Sequence, residues 1–146
     1  MAYSTDEDIF DRLGEDVVRR LTDDDSSDGV DTTLLSRIRE SVADEMNVFL
    51  RGSYDLPIED EEATDVLAGL EVDILAYRLY ARRPTAEVPS SVEELKDDAF
   101  DRLSRIARHG GLGVDQDGDG EPDGGSSLTV RGPEQQTLSD KMEGRY

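Results

Sequence analysis

TDVLAGLEVDILAYRLYARR, residues 64–83, decides the fold. Leu67, Leu70, Ile74 and Tyr77 recur at helical spacing, and Val66, Leu75 and Leu79 widen the stripe. At 1.5 Å per residue these turns make a rod about 30 Å long. It is the least charged long segment of a heavily charged chain, so it reads as the central element of an all-α core. Its second half carries Tyr77, Arg78, Tyr80, Arg82 and Arg83. Pro84 stops it, because proline cannot continue a helix and disfavours helix at the residue before it.

Working outward, residues 32–51 form a second long helix, capped by Asp31 or Thr32, with Leu35, Ile38, Val42, Met46 and Phe49 inward and Leu34 and Leu50 beside them. Gly52 is its expected stop. Residues 52–62, GSYDLPIEDEE, read as an extended connector in which Leu56-Pro57 forces a non-helical step. A third long helix covers residues 91–109, with Ser90 and Glu93 at capping-box spacing and Val92, Leu95, Ala99, Leu103 and Ile106 inward. The N-terminus holds two short helical pieces, 5–13 and 16–21, separated by Gly14. Ser4 or Thr5 caps the first, and Asp6, Glu7 and Asp8 suit its positive end.

From Gly110 the composition changes. Residues 110–125 are rich in glycine and aspartate and have no apolar period; residues 126–146 contain a single strand-like stretch at 128–131. The expectation is therefore a small helical bundle over residues 1–109, made of three long helices and a short helical N-terminus. A linker at 110–125 leads to an extended C-terminal arm at 126–146.

Charge narrows the partners. The chain has 36 acids against 16 bases, a net −20 over 146 residues. The arm is neutral, with Arg131, Lys141 and Arg145 against Glu134, Asp140 and Glu143. Such a surface repels nucleic acid phosphate and anionic membrane. Only Lys96 and Lys141 are lysine, and aspartate exceeds glutamate. Arginine pairs with carboxylates in a two-pronged way that lysine cannot, and at roughly 1 M salt the screening length falls to about 3 Å. The balance resembles that of haloarchaeal proteins. There is no cysteine, no apolar run near the ~20 residues that span a bilayer, and no signal peptide pattern in MAYSTDEDIF.

Two acidic loops carry cation-like spacing. Asp115, Asp117 and Asp119 alternate, Gly120 permits a sharp turn, and Glu121 and Asp123 complete nine positions of a calcium loop of the EF-hand type. Ser126 stands where that loop has its two-pronged glutamate, and no helix follows. Asp23, Asp25, Ser27 and Asp31 form a looser copy between two helices. Either loop suits Ca2+ or Mg2+; the plain reading is a solvated acidic loop. His109, the single histidine, sits where an imidazole helps a helix C-terminus. No nucleophile elbow, phosphate loop or other catalytic constellation is present, so no enzymatic activity is expected. Arg78, Arg82 and Arg83 make a basic island; they pair either with Asp73, Glu71 or the 32–51 helix, or with the acidic surface of a neighbouring subunit.

The order of parts resembles the head–tail joining proteins of Mu-like tailed phages, also called connectors, adaptors or head-completion proteins. DIFDRLGEDV, residues 8–17, is similar to their opening "DLxxRFGEDEL", and LTDDDSSDGVD, residues 21–31, loosely to "LTDRDGDGxxD". FLRGSYDLPI, residues 49–58, looks like "YLxxRYxLPL", and residues 67–80 match "LxxLxxDIARYxLY" through Asp73, Ile74, Tyr77, Leu79 and Tyr80. The likeness covers about residues 6–109. It implies a virion protein at the head–tail interface, assembled in the host cytoplasm. It would be a homo-oligomeric ring, twelve-fold in the family, seated between the portal protein and a tail or stopper protein. DNA would pass through the lumen without specific binding, and no membrane is involved. Contacts are then expected from Arg78, Tyr80, Arg82 and Arg83 and, in the arm, from Leu128, Val130, Arg131 and Tyr146. With the salt signature, the source would be a tailed virus of a halophilic archaeon. The competing expectation is a soluble calcium-binding helical regulatory module.

Overall fold

The computed structural model describes residues 1–112. They form five helices: α1 Asp6–Leu13, α2 Glu15–Thr22, α3 Thr32–Leu50, α4 Glu61–Ala81 and α5 Ser90–His109. No strand occurs among the described residues. The all-α expectation holds there, with two short and three long helices. The arm, its strand at 128–131 and most of the linker lie outside the described residues.

α4 is central because it is apolar nearly all round, as a helix packed on several sides must be. It touches each of the other four helices. Its first half places Leu67, Leu70 and Ile74 in one core, with Val42, Met46 and Leu50 of α3 and Ala99, Leu103 and Ile106 of α5. Its second half turns Val72, Leu75, Ala76 and Leu79 into another, with Ile9 of α1, Val18 and Leu21 of α2 and Leu35 of α3. One rod therefore ties two cores together. Each fully buried leucine or isoleucine contributes about 1.5–3 kcal/mol of apolar transfer.

Local chemistry sets the helix ends. Thr5, one of the two residues expected there, caps α1 in a reciprocal box with Asp8 that the sequence reading did not anticipate. Gly14, at φ 85°, closes α1 and opens α2, a left-handed conformation that glycine adopts without strain. Asp31 caps α3 by accepting from the Leu34 amide at 2.9 Å.

Two boundary expectations and one burial expectation are corrected. α4 begins at Glu61, three residues before the expected start, because Asp60 accepts from the Ala63 amide at 2.9 Å. Glu61 and Glu62 then sit at its positive end, so an acidic run read as connector is helix. α5 begins at Ser90 after Pro89, with no side-chain cap, so Ser90 and Glu93 do not form a capping box. Leu95, expected inward, is 38% exposed at the edge of the second core.

Candidate functional site

Most polar side chains singled out in the sequence hold the chain to itself. Glu71, on α4 in an otherwise apolar turn, is completely buried. Its Oε2 accepts from the Tyr3 amide at 2.8 Å, and its Oε1 from the Ser4 amide at 3.1 Å and the Ser4 hydroxyl at 2.5 Å. Burial pushes the Glu71 carboxyl above its ordinary value; the bonds from residues 3 and 4 and the charge of Arg39 oppose that. Tyr3 donates its hydroxyl to Asn47 of α3, and burial with the nearby Glu71 charge pushes the phenol up to about 12. The N-terminal strand of chain is thus strapped across α3 and α4.

Asp73 stands two residues on. Its Oδ1 meets Arg12 Nη1 of α1 at 2.5 Å. Burial raises its pKa, Arg12 lowers it and Asp98 raises it. Arg39 of α3 reaches Asp6 of α1 at 2.5 Å. Nothing in the apolar periodicity marks Glu71 or Asp73. The available signal was a pair of carboxylates, Glu71 and Asp73, embedded in the otherwise uncharged run 66–77, which buried partners must explain.

The basic island of α4 divides. Arg78 pairs with Glu45 of α3 at 2.5 Å. Arg82 grips Asp24 with both Nη atoms, at 3.2 and 2.5 Å, and its Nη1 also donates to the Leu21 carbonyl at 2.7 Å. Arg83 donates to the Leu21 and Asp23 carbonyls and pairs with Asp24 at 3.0 Å. Arg82 bonding and charge hold the Asp24 carboxyl below its ordinary value. Tyr80 is half-buried in the second core and lines a 260 Å³ hollow with Arg12, Leu13 and Asp73. The pairing reading of the island is the arrangement present, with the 32–51 helix and the α2–α3 loop as partners.

In that loop the expected cation positions do not converge. Asp23 accepts from the Ser27 and Asp28 amides, Asp31 caps α3, and Ser27 donates to Asp23. Asp25 is exposed. Among the described residues, no three His, Cys, Asp or Glu side chains gather as a metal-holding group. Asp115, Asp117, Asp119, Glu121 and Asp123, and the arm positions Leu128, Val130, Arg131 and Tyr146, lie outside the described residues.

A groove of about 560 Å³ lies between α1 and α4. Asp8, Asp11 and Asp65 stand around it with one cation, Arg12, which is paired to Asp73, and Ala68, Gly69 and Val72 of α4 form its floor. A Cβ at Gly69 would meet nothing within 4 Å, so the floor is open. No described helix is long and apolar enough to cross a membrane. The arrangement offers helices tied to one another by ion pairs and an open groove between two of them.

The family described as "Bacteriophage Mu, Gp36" matches residues 3–130 of the 146-residue chain, further at both ends than residues 6–109 that carry the visible likeness. A search among curated proteins found no match.

Proposed function

From the fact that the chain belongs to the bacteriophage Mu Gp36 family, we infer that it is a structural protein of the virion and serves as a head–tail connector. In this reading, copies of the chain form a ring, twelve-fold if it follows the pattern that the resemblance implies, between the portal and the tail or stopper, and line the channel through which DNA passes. The observation that carries it is the coincidence of that family match with a helical subunit cross-tied by its own charges. Glu71 anchors residues 3 and 4, Arg82 and Arg83 anchor the α2–α3 loop, and Arg12 and Arg39 anchor α1. A ring part that transmits load needs such rigidity. The net −20 charge suits a channel along which DNA slides without sticking. The neutral arm, residues 126–146, would act as a tether that orders against portal or neighbouring subunits. The arginine-for-lysine and aspartate-rich balance supports a virus of a halophilic archaeal host.

Imaging of particles carrying a tagged chain tests the reading. Density for the tag at the neck between head and tail is the expected result. Tag found elsewhere, or particles that join heads to tails normally without the chain, would refute it.

A further inference from the structure

The subunit carries two complementary charged faces on opposite sides of the first half of α4. On one side lies the acidic groove. Asp65, Gly69 and Val72 share the face of α4 away from Leu67 and Ile74, and Asp8 and Asp11 of α1 stand across from them. On the other side lies α5, whose Leu103 and Ile106 pack with Leu67, Leu70 and Ile74 in the first core. The outer surface of this half of α5 presents Arg102, Arg105 and Arg108 at three-residue spacing, all exposed. Residues three apart are neighbours on a helix surface, so these form one row.

Among the described residues the row has no ion-pair partner. Arg12, Arg39, Arg78, Arg82 and Arg83 each meet a carboxylate, yet among the described residues none of these three makes an ion pair within 4 Å. Asp98 and Asp101 lie one turn earlier and do not close on them. The helix dipole accounts for Arg108 and His109, but it acts within the last turn and does not reach Arg102 or Arg105. Arg51, which also makes no ion pair among the described residues, ends α3 at the same pole, where the Ser53 hydroxyl donates to the Ala107 carbonyl at 2.5 Å.

We propose that the arginine row of one copy docks in the α1–α4 groove of the next copy, with Arg102 and Arg105 meeting Asp11 and Asp65. The occupant is a second copy of this chain because its two faces are complementary in charge: a two-turn basic helix edge against an open groove with three aspartates and a glycine floor. The two faces differ, so the contact is heterologous and propagates head to tail, closing as a ring when the rotation permits. This deepens the ring reading above and rests on it. Nucleic acid is disfavoured as occupant because the surrounding surface is strongly acidic.

Two charge-reversed variants test it: Arg102→Glu with Arg105→Glu, and Asp11→Arg with Asp65→Arg. All four side chains are exposed, so circular dichroism should show unchanged helix. Sedimentation at low salt should find the wild-type chain assembled and each variant monomeric. An equimolar mixture of the two variants should assemble again, because each reversed face then meets its opposite. Variants that assemble like wild type, a mixture that stays monomeric, a wild-type chain monomeric throughout, or a row that retains duplex DNA in a gel shift, would each overturn the proposal. The tagged-particle experiment decides the virion reading separately, since it reads location and not self-association.

Discussion

Arg82 of α4 and Asp24 of the α2–α3 loop, 58 positions apart, meet as a fork on a fork, with both Nη atoms on both carboxylate oxygens. The guanidinium also takes the Leu21 carbonyl, so one side chain closes the end of α2 and fastens the loop after it. Planar, five-donor geometry does this and an ammonium cannot. Arg82→Lys should therefore keep the charge and lose the fork. The expected result is faster amide exchange across residues 23–31 with the helices unchanged, and equal exchange in the two proteins would contradict it.

Glu71 should behave as the anchor of the N-terminal strap. Glu71→Ala leaves the Tyr3 and Ser4 amides without their acceptor and should cost about 1–3 kcal/mol, limited by the strap's freedom to peel into water. Chemical denaturation measures it, and early proteolysis at residues 1–5 should accompany the loss.

The same residue gives a pH signature. Burial raises its pKa in the folded chain, so its favourable contribution is complete below the unfolded-chain value and is lost as pH rises through the folded one. Glu71→Gln does not titrate. The melting-temperature advantage of wild type over Glu71→Gln should be greatest in acid and narrow as pH rises; an advantage that widens toward neutral pH would reverse the sign.

Gly69 lies inside α4 with open space where a Cβ would stand. Gly69→Ala should stabilise the isolated subunit by about 0.5–1 kcal/mol, because alanine loses less backbone entropy in a helix. A lower unfolding midpoint would show that the space is needed within the subunit itself.

Salt should stabilise the fold. At net −20, self-repulsion weakens as the screening length shrinks from about 10 Å at 0.1 M to about 3 Å at 1 M. The ties that salt weakens, such as Arg78 with Glu45, are exposed and individually worth less than about 1 kcal/mol. The melting temperature in potassium chloride should climb across this range, and a fall would mean that the ion pairs outweigh the repulsion.

Sequence alone determined the class of fold and its central rod. Period and capping are local, and an apolar stripe of five turns has few ways to be satisfied other than burial. It also determined the family likeness, because the turn at Gly14, the Leu56-Pro57 step and the Asp73-Ile74 run come in order along the chain. Only the tertiary structure decided that Glu71 receives residues 3 and 4, that Asp24 receives Arg82 and Arg83, and that α5 carries an unpaired arginine row opposite an acidic groove. The physical reason is distance along the chain. Partners dozens of positions apart leave no periodic trace, and one carboxylate among 36 acids looks like the rest until folding selects which of them loses its water.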